Sequence, residues 1–343
     1  MTMPRLILPA ELESIGHDRR KLVTLCNRGE LIRLRCGVYV SATAWQELRP
    51  MQQYGLKVLA FQQLAPRQPV LSHATAALLW GLWVVGTPQR LHVMTEVTTG
   101  GRTENGVVRH RGSLAEDLIR CGPFLLTNKL ATVIQLIQSL QFPYAVAVCD
   151  SSLRVPERKY AFNSFSPAGS EPAPGDPLWQ GTYPQGTPLA VKDLVAAAEQ
   201  LPSKAARVRT LAVIEFSSAL SASAGESISR AKLHMFGFPA PVLQKHFTLR
   251  DGSDAFVDFW FEELRLAGEF DGKGKYLRDD WGGGLSIQDR VLAEKAREDQ
   301  IRAQGVGFVR WEWAEMMNRE RFIYLLRQAG LRQKAGVRAF GWR

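Results

Sequence analysis

The sequence predicts an α/β protein in two parts, and three observations predict it. Its 343 residues exceed what one core of ordinary size needs, at roughly 100 to 200 residues per domain. Short helical and strand patterns alternate through residues 1–155 and again through 191–343. Between them, residues 156–190 gather Pro156, Pro167, Pro172, Pro174, Pro177, Pro184 and Pro188 among Ser and Gly, a run that cannot sustain a helix and reads as a linker or insertion. The expected divisions are therefore 1–50, 51–155, 156–190 and 191–343. Hydrophobic residues at 45%, charged at 22% and aromatic at 9% exclude a mostly disordered, collagen-like or coiled-coil chain. The net charge of +10 points to a polyanionic partner, nucleic acid first.

In chain order, Pro9 suits a first helical position, with Leu12 and Ile15 three apart until Gly16 stops the helix. A second helix follows Asp18 as N-cap and runs through Arg19-Arg20-Lys21-Leu22-Val23-Thr24-Leu25-Cys26-Asn27-Arg28, with Leu22, Leu25 and Cys26 on one face and Gly29 as its stop. Its other face is basic. Leu31–Arg35 and Gly37–Val40 read as a strand pair with Arg33 and Arg35 on one side. Helix, turn, basic helix and hairpin make a winged helix-turn-helix. In that reading Arg19, Arg20, Lys21, Thr24 and Arg28 face DNA from the helix, and Arg33 and Arg35 reach phosphate from the wing. A solvated basic face on a small helical module is the plainer alternative.

Residues 51–155 read as an α/β extension: helices at 51–64 and from Ser72, strands at Leu91–Met94 and Val107–His110, then a helix capped by Thr127. His73 and His110 read as structural histidines, and Trp80 and Trp83 as core. Cys26, Cys36, Cys121 and Cys149 form no CxxC pair, so reduced and mostly buried thiols are expected. With no secretory signal and no apolar run of about 20 residues, the expectation is a cytoplasmic protein with no membrane partner.

After helices near 191–200 and 204–215, a helix carrying Glu226 leads to strands at Val242–Leu249, Ala255–Trp260 and Leu264–Asp271. These bring Asp258 and Glu269 to adjacent strands, with Glu226 on the preceding helix. Converging carboxylates in an apolar sheet need a cation or raised pKa values, and hard oxygen donors suit Mg2+ or Mn2+. With Lys273 and Lys275 following, this is the equipment of phosphodiester hydrolysis. Against that stands simple pairing of Asp258 and Glu269 with Lys245, Arg265 or Lys273, and a first-turn dipole role for Glu226. Gly282-Gly283-Gly284 reads as a flexible loop. Arg297 and Arg310 either touch phosphate or are structural, and Trp311 and Trp313 share packing.

Gly225-Glu226-Ser227, Gln244, Val257-Asp258-Phe259, Gly268-Glu269-Phe270-Asp271-Gly272-Lys273, Lys275-Tyr276, Glu298-Asp299 and Val309-Arg310-Trp311 together resemble the DUF559, or very-short-patch-repair-like, branch of the PD-(D/E)XK endonuclease superfamily. The first 40 residues, with Gly37-Val38-Tyr39, Ser72-His73 and Ala76-Ala77, resemble AbiEi-type antitoxins of type IV toxin-antitoxin systems. The nuclease resemblance implies a restriction-endonuclease-like domain with a mixed central sheet flanked by helices. It makes Asp258 and Glu269 the metal ligands, with the Phe270 carbonyl a third, Glu226 an accessory acid and Gln244 a polar neighbour. The chain departs from the family where Asp271 stands in place of the orthodox lysine. Lys273 or Lys275 then supplies the catalytic lysine, Asp271 acts as a further ligand, or the domain is catalytically silent. The two resemblances imply a DNA-binding Mg-dependent endodeoxyribonuclease acting in phage defence or a toxin-antitoxin system, with a homodimer allowed by double-strand cleavage. The alternatives are an antitoxin-type repressor with an inactive nuclease-like domain, and a protein that neutralises a cognate toxin.

Overall fold

A computed structural model describes residues 4–9, 19–96, 103–114, 117–155, 187–272 and 287–334. In chain order the elements are α1 (Arg19–Asn27), β1 (Leu31–Arg35), β2 (Val38–Ser41), α2 (Ala42–Gln46), α3 (Pro50–Leu64), β3 (Val70–Leu71), α4 (His73–Trp80), β4 (Leu91–Thr95), β5 (Thr103–Glu104), β6 (Val107–Arg111), β7 (Leu118–Cys121), β8 (Phe124–Thr127), α5 (Lys129–Ser139) and α6 (Phe142–Leu153). Then come α7 (Val191–Glu199), α8 (Lys204–Phe216), α9 (Ala224–Met235), β9 (Val242–Thr248), β10 (Asp254–Phe261), β11 (Leu266–Phe270), α10 (Ile287–Arg302), β12 (Gly307–Trp311), α11 (Trp313–Met317) and α12 (Arg319–Gln328). The result is mixed α/β with three sheets, two of them mixed in strand direction. No described helix is long and apolar enough to cross a membrane.

The chain divides into two compact units, residues 1–139 with 155–210, and residues 140–154 with 211–343. The Pro-rich run lies almost wholly outside the described residues and does not mark this division. Helix α6, grouped by sequence with 51–155, belongs to the C-terminal unit, because ten of its twelve residues are buried and it packs on α9. Helix α7, grouped by sequence with the nuclease-like part, belongs to the N-terminal unit, where it packs on α5.

In the N-terminal unit, α1 ends as its sequence predicts. Gly29 takes φ +74°, a conformation that costs a residue without Cβ little, and the Glu30 N–H reaches back to the Leu25 carbonyl. The β1–β2 hairpin is antiparallel, with a register shift between Arg33 and Arg35. Val40, Leu48 and Leu56 form a small core with Ile32 and Leu34 against it. The helix expected at 9–15 and the Asp18 cap lie outside the described residues, apart from Pro9. Beyond the hairpin a six-stranded sheet runs in the order β5-β6-β4-β3-β8-β7. Four of its strands, β3, β5, β7 and β8, escape the sequence reading because each has four residues or fewer, too short to show a period. Asn128, not Thr127, caps α5: its Oδ1 accepts from the Ala131 N–H at 2.7 Å, while Thr127 closes β8 and its hydroxyl meets that of Thr132.

In the C-terminal unit the four-stranded sheet runs β12-β11-β10-β9, with β11 and β12 parallel and the other pairs antiparallel. One face buries Phe259, Phe261 and Phe270 with Ile228 of α9 and Phe322 and Leu326 of α12. The other buries Ala255, Val257 and Trp260 with Ile301 of α10. Full burial of such side chains contributes roughly 1.5–3 kcal/mol each. Trp311 stacks on Phe259 and donates to Ser229 at 2.8 Å, and Trp313 meets Phe270 edge-on, so both tryptophans pack in this unit as expected. Gly268 is required by this packing, since a Cβ there would lie 2.8 Å from the Trp311 ring.

Candidate functional site

The acids of the C-terminal unit separate into two groups. Ala255 and Val257 belong to one core cluster and Phe259 and Phe261 to the other, so the in-out alternation of β10 slips at Asp258. The neighbouring strand yields at the same level: Leu243 and Lys245 pair with Phe259 and Val257, and Gln244 between them takes φ +50°. A left-handed non-glycine residue costs of order 1–3 kcal/mol and tends to mark a functional position. The Gln244 amide stands between two carboxylates, with its Nε2 3.3 Å from Glu226 Oε2 and 3.5 Å from Asp258 Oδ1. Asp258 also accepts from the Phe270 N–H at 3.0 Å, beyond the last β10–β11 pair at Phe259 and Gly268. Glu226 is buried at the third position of α9 and closes its cap: Ser223 donates to Oε1 at 2.8 Å and the Ala222 N–H to Oε2 at 2.7 Å. Helix α9 reaches this position because Gly225 carries no Cβ, which would overlap the Phe270 ring.

Glu269 stands apart from that group. Its Oε1 holds Arg297 at 2.7 Å and its Oε2 holds Arg310 at 2.6 Å. Strand pairing sets this up, since Glu269 and Arg310 are partners in the parallel β11–β12 ladder. Arg310 also meets Glu294, Glu298 and Asp271, and Arg297 meets Glu294. Four carboxylates thus share two guanidiniums. Burial pushes the Glu269 carboxyl up, and the charges and hydrogen bonds of Arg297 with the charge of Arg310 resist the rise. Both guanidiniums, against the effect of burial, are held above their ordinary range by Glu294 and Glu269, joined at Arg310 by Asp271 and Glu298. For Glu269 these arginines are the partners, and Arg265 instead donates to the carbonyls of Gln304 and Gly305. Lys273, Lys275 and the triple glycine lie outside the described residues.

A divalent ion needs carboxylate oxygens that are free to turn toward it. Those of Glu269 are engaged by guanidinium groups, and Asp271 by Arg310 at 3.2 Å. Among the described residues no group of three or more His, Cys, Asp or Glu is placed to hold a metal ion. As the side chains stand, Asp258, Glu269 and Asp271 do not fit the magnesium centre that the nuclease resemblance implies.

Sequence reading passes over a second buried charge in this unit. Asp150, fully buried on α6, accepts from Arg230 at 2.7 and 3.0 Å, Ser227 at 2.7 Å, Ser221 at 3.2 Å and the Ser218 N–H at 2.7 Å. It thereby fixes the 217–221 segment that delivers the cap of Glu226. A lone Asp among Val, Cys and Ser of an otherwise apolar helix is the signal that could have found it.

The N-terminal unit treats its cations differently. Residues 1–139 hold 16 Lys and Arg against 9 Asp and Glu. The ion pairs named above, and the pairs His246 with Asp254 and Arg302 with Glu298, all lie in the C-terminal unit. Among the described residues, Arg28, Arg33, Arg35 and Arg109 meet no carboxylate. Arg20, Lys21, Thr24, Arg28 and Arg33 are exposed on α1, its C-terminal turn and β1, and the Thr24 hydroxyl returns to the Arg20 carbonyl at 3.2 Å. Arg19 opens α1, its side chain outside the described residues. Arg35 is half-buried over the Phe61 ring.

His73 and His110 are stacked at 3.5 Å between ring centroids, and His92 joins them, its Nδ1 2.8 Å from His110 Nε2. Burial and the neighbouring rings lower His73 to about 3; burial, His110 and Arg90 lower His92 to about 4. The thiols of Cys121 and Cys149 are buried, but Cys36 is exposed and Cys26 half-buried, so the expectation of mostly buried cysteines holds for two of four. No protein-family model and no curated protein matches this chain.

Proposed function

We propose that this chain is a DNA-binding protein that reads its target through the N-terminal unit as a winged helix. Its C-terminal unit, on this reading, is a restriction-endonuclease-like domain whose carboxylates are engaged internally, and the whole acts as a regulator of the antitoxin kind. One observation carries the reading: among the described residues Arg28, in the turn after α1, and Arg33, on β1, are exposed without carboxylate partners, while Arg230, Arg297 and Arg310 of the C-terminal unit are each held by carboxylates. Exposed cations on a helix, its C-terminal turn and the adjoining hairpin suit phosphate contacts, and each one that meets a phosphate releases counterions on binding. An external partner of this kind is a polyanion with regularly spaced charge.

Cleavage is the second reading, and the Glu226–Gln244–Asp258 group at a strained Gln244 favours it. One pair of measurements separates the two. Duplex DNA binding is followed by gel shift while plasmid, single-stranded DNA and RNA are incubated with Mg2+ or Mn2+, for the wild type and Asp258→Ala. Binding without cutting by either protein is the expected outcome. Metal-dependent cutting lost in Asp258→Ala makes the chain a nuclease, and absence of DNA binding removes both readings.

A further inference from the structure

The outward face of α1 carries more than charge. At about 100° per residue, Arg20, Val23, Thr24 and Asn27 fall in one stripe along the helix, with Lys21 and Arg28 at its edge and Leu22, Leu25 and Cys26 on the opposite side. The first six are exposed, whereas Leu22 is buried and Leu25 and Cys26 are half-buried. Val23, in the middle of the stripe, is 57% exposed. The Thr24 hydroxyl is engaged within the helix, on the Arg20 carbonyl at 3.2 Å. Among the described residues nothing engages the side-chain amide of Asn27.

Phosphate contacts call for cations alone. Valine is a weak helix former, and an exposed valine forgoes the gain of burial, so Val23 serves neither the helix nor the core. A valine and a free carboxamide set among cations do have counterparts in the major groove of DNA, which admits an α-helix. There the C5-methyl of thymine offers an apolar contact, and a carboxamide pairs with N6 and N7 of adenine. Residues 23 and 27 stand one turn apart, about 6 Å along the helix, close to two base-pair steps of about 3.4 Å.

We propose that α1 reads base sequence directly, with Val23 against a thymine methyl and Asn27 on an adenine within about two base pairs of it. The inference rests on the DNA-binding reading and adds sequence discrimination to it. Lys21 and Arg28, at the edge of the stripe, supply positioning on phosphate, which carries no sequence information. Uracil in place of the contacted thymine removes the methyl while keeping the hydrogen-bonding groups and the charge, so it isolates the contact of Val23.

The test uses the full chain. Duplexes with a randomised segment are selected for binding, and each thymine of the enriched sequence is then replaced singly by uracil. The wild type is expected to prefer thymine over uracil about threefold at one position, and Val23→Ser to bind the two duplexes alike. Asn27→Ala is expected to lose, on the order of tenfold, the preference for adenine within two base pairs of that thymine. Each preference is a ratio measured within one protein, so a change in the folded fraction of a variant does not alter it. Equal binding of thymine and uracil by the wild type at every position, or a preference that survives in Val23→Ser, overturns the proposal. If the wild type binds duplex DNA in a salt-dependent way but enriches no sequence, the proposal fails and the DNA-binding reading stands. A wild type that binds no duplex at all brings down that reading and the proposal with it.

Discussion

The arginines at the centre of the C-terminal unit and four arginines of the N-terminal unit meet opposite surroundings. In the C-terminal unit each guanidinium of the central network is surrounded by carboxylates: Arg310 meets four, Arg297 two, and Arg230 grips Asp150 with one nitrogen. In the N-terminal unit, among the described residues, Arg28, Arg33, Arg35 and Arg109 have none. Buried charges require partners because desolvation is costly, whereas exposed ones can wait for an external anion. Charge in the first unit should therefore matter to stability, and charge in the second to binding, where the first is the C-terminal unit and the second the N-terminal.

The largest effect is expected at Asp150. Asp150→Ala leaves Arg230 buried without its carboxylate and frees three further donors, for a loss of about 3–5 kcal/mol. Urea unfolding measures it, and a loss below about 1 kcal/mol would mean that water reaches the site. Glu269→Gln comes next, at about 2–3 kcal/mol, since an amide keeps a hydrogen bond while two guanidiniums lose a charge. Adding Mg2+ or Mn2+ is expected to leave the wild-type melting temperature unchanged. A rise that disappears in Glu269→Gln would instead show that the arginines yield Glu269 to a metal.

Acid should distinguish the units in the other direction. His73 and His92 titrate in the folded chain at about 3 and about 4, below the usual histidine range near 6.5. Between those values the unfolded chain binds more protons. Stability is therefore fully present above about pH 6.5 and is lost as pH falls toward 4 and then 3. Amide hydrogen exchange resolves this by unit: protection in β4 and β6 should fall with pH, and His92→Gln should flatten the trend. The smallest stability effect is expected on the basic helix. Arg20→Ala with Lys21→Ala should change unfolding free energy by less than about 0.5 kcal/mol while lowering DNA affinity and reducing the salt slope by about two.

Legibility followed local pattern. Leu22 with Leu25 and Cys26, closed by Gly29, announces α1, and Asp251-Gly252 between two alternating runs announces the β9–β10 hairpin, where Gly252 takes φ +81°. The cap of α9, Ser223 with Glu226 three residues on, is equally local, although sequence reading passes over it. None of these needs a distant partner. Asp258, Glu226 and Gln244 were named from sequence and do lie together, because a helix cap and two adjacent strands are short-range geometry. The ion pairs of Glu269 were not legible, because its partners Arg297 and Arg310 stand 28 and 41 positions later in the chain.

By itself, then, the amino-acid sequence determined the α/β class, the positions of the longer strands and of the helices other than α2, α6, α11 and α12, the basic character of α1 and the acids of the C-terminal unit. These follow from periodicity, caps and turns, which act within a few residues. Tertiary structure alone decided that α6 joins the C-terminal unit, that Asp150 is clasped by Arg230, that three histidines stack, and that Arg297 and Arg310 claim Glu269. The physical reason is common to all four. A charged or polar group buried by folding must satisfy itself with whatever the fold brings beside it, and that neighbour is set by strand register and helix packing across long stretches of chain.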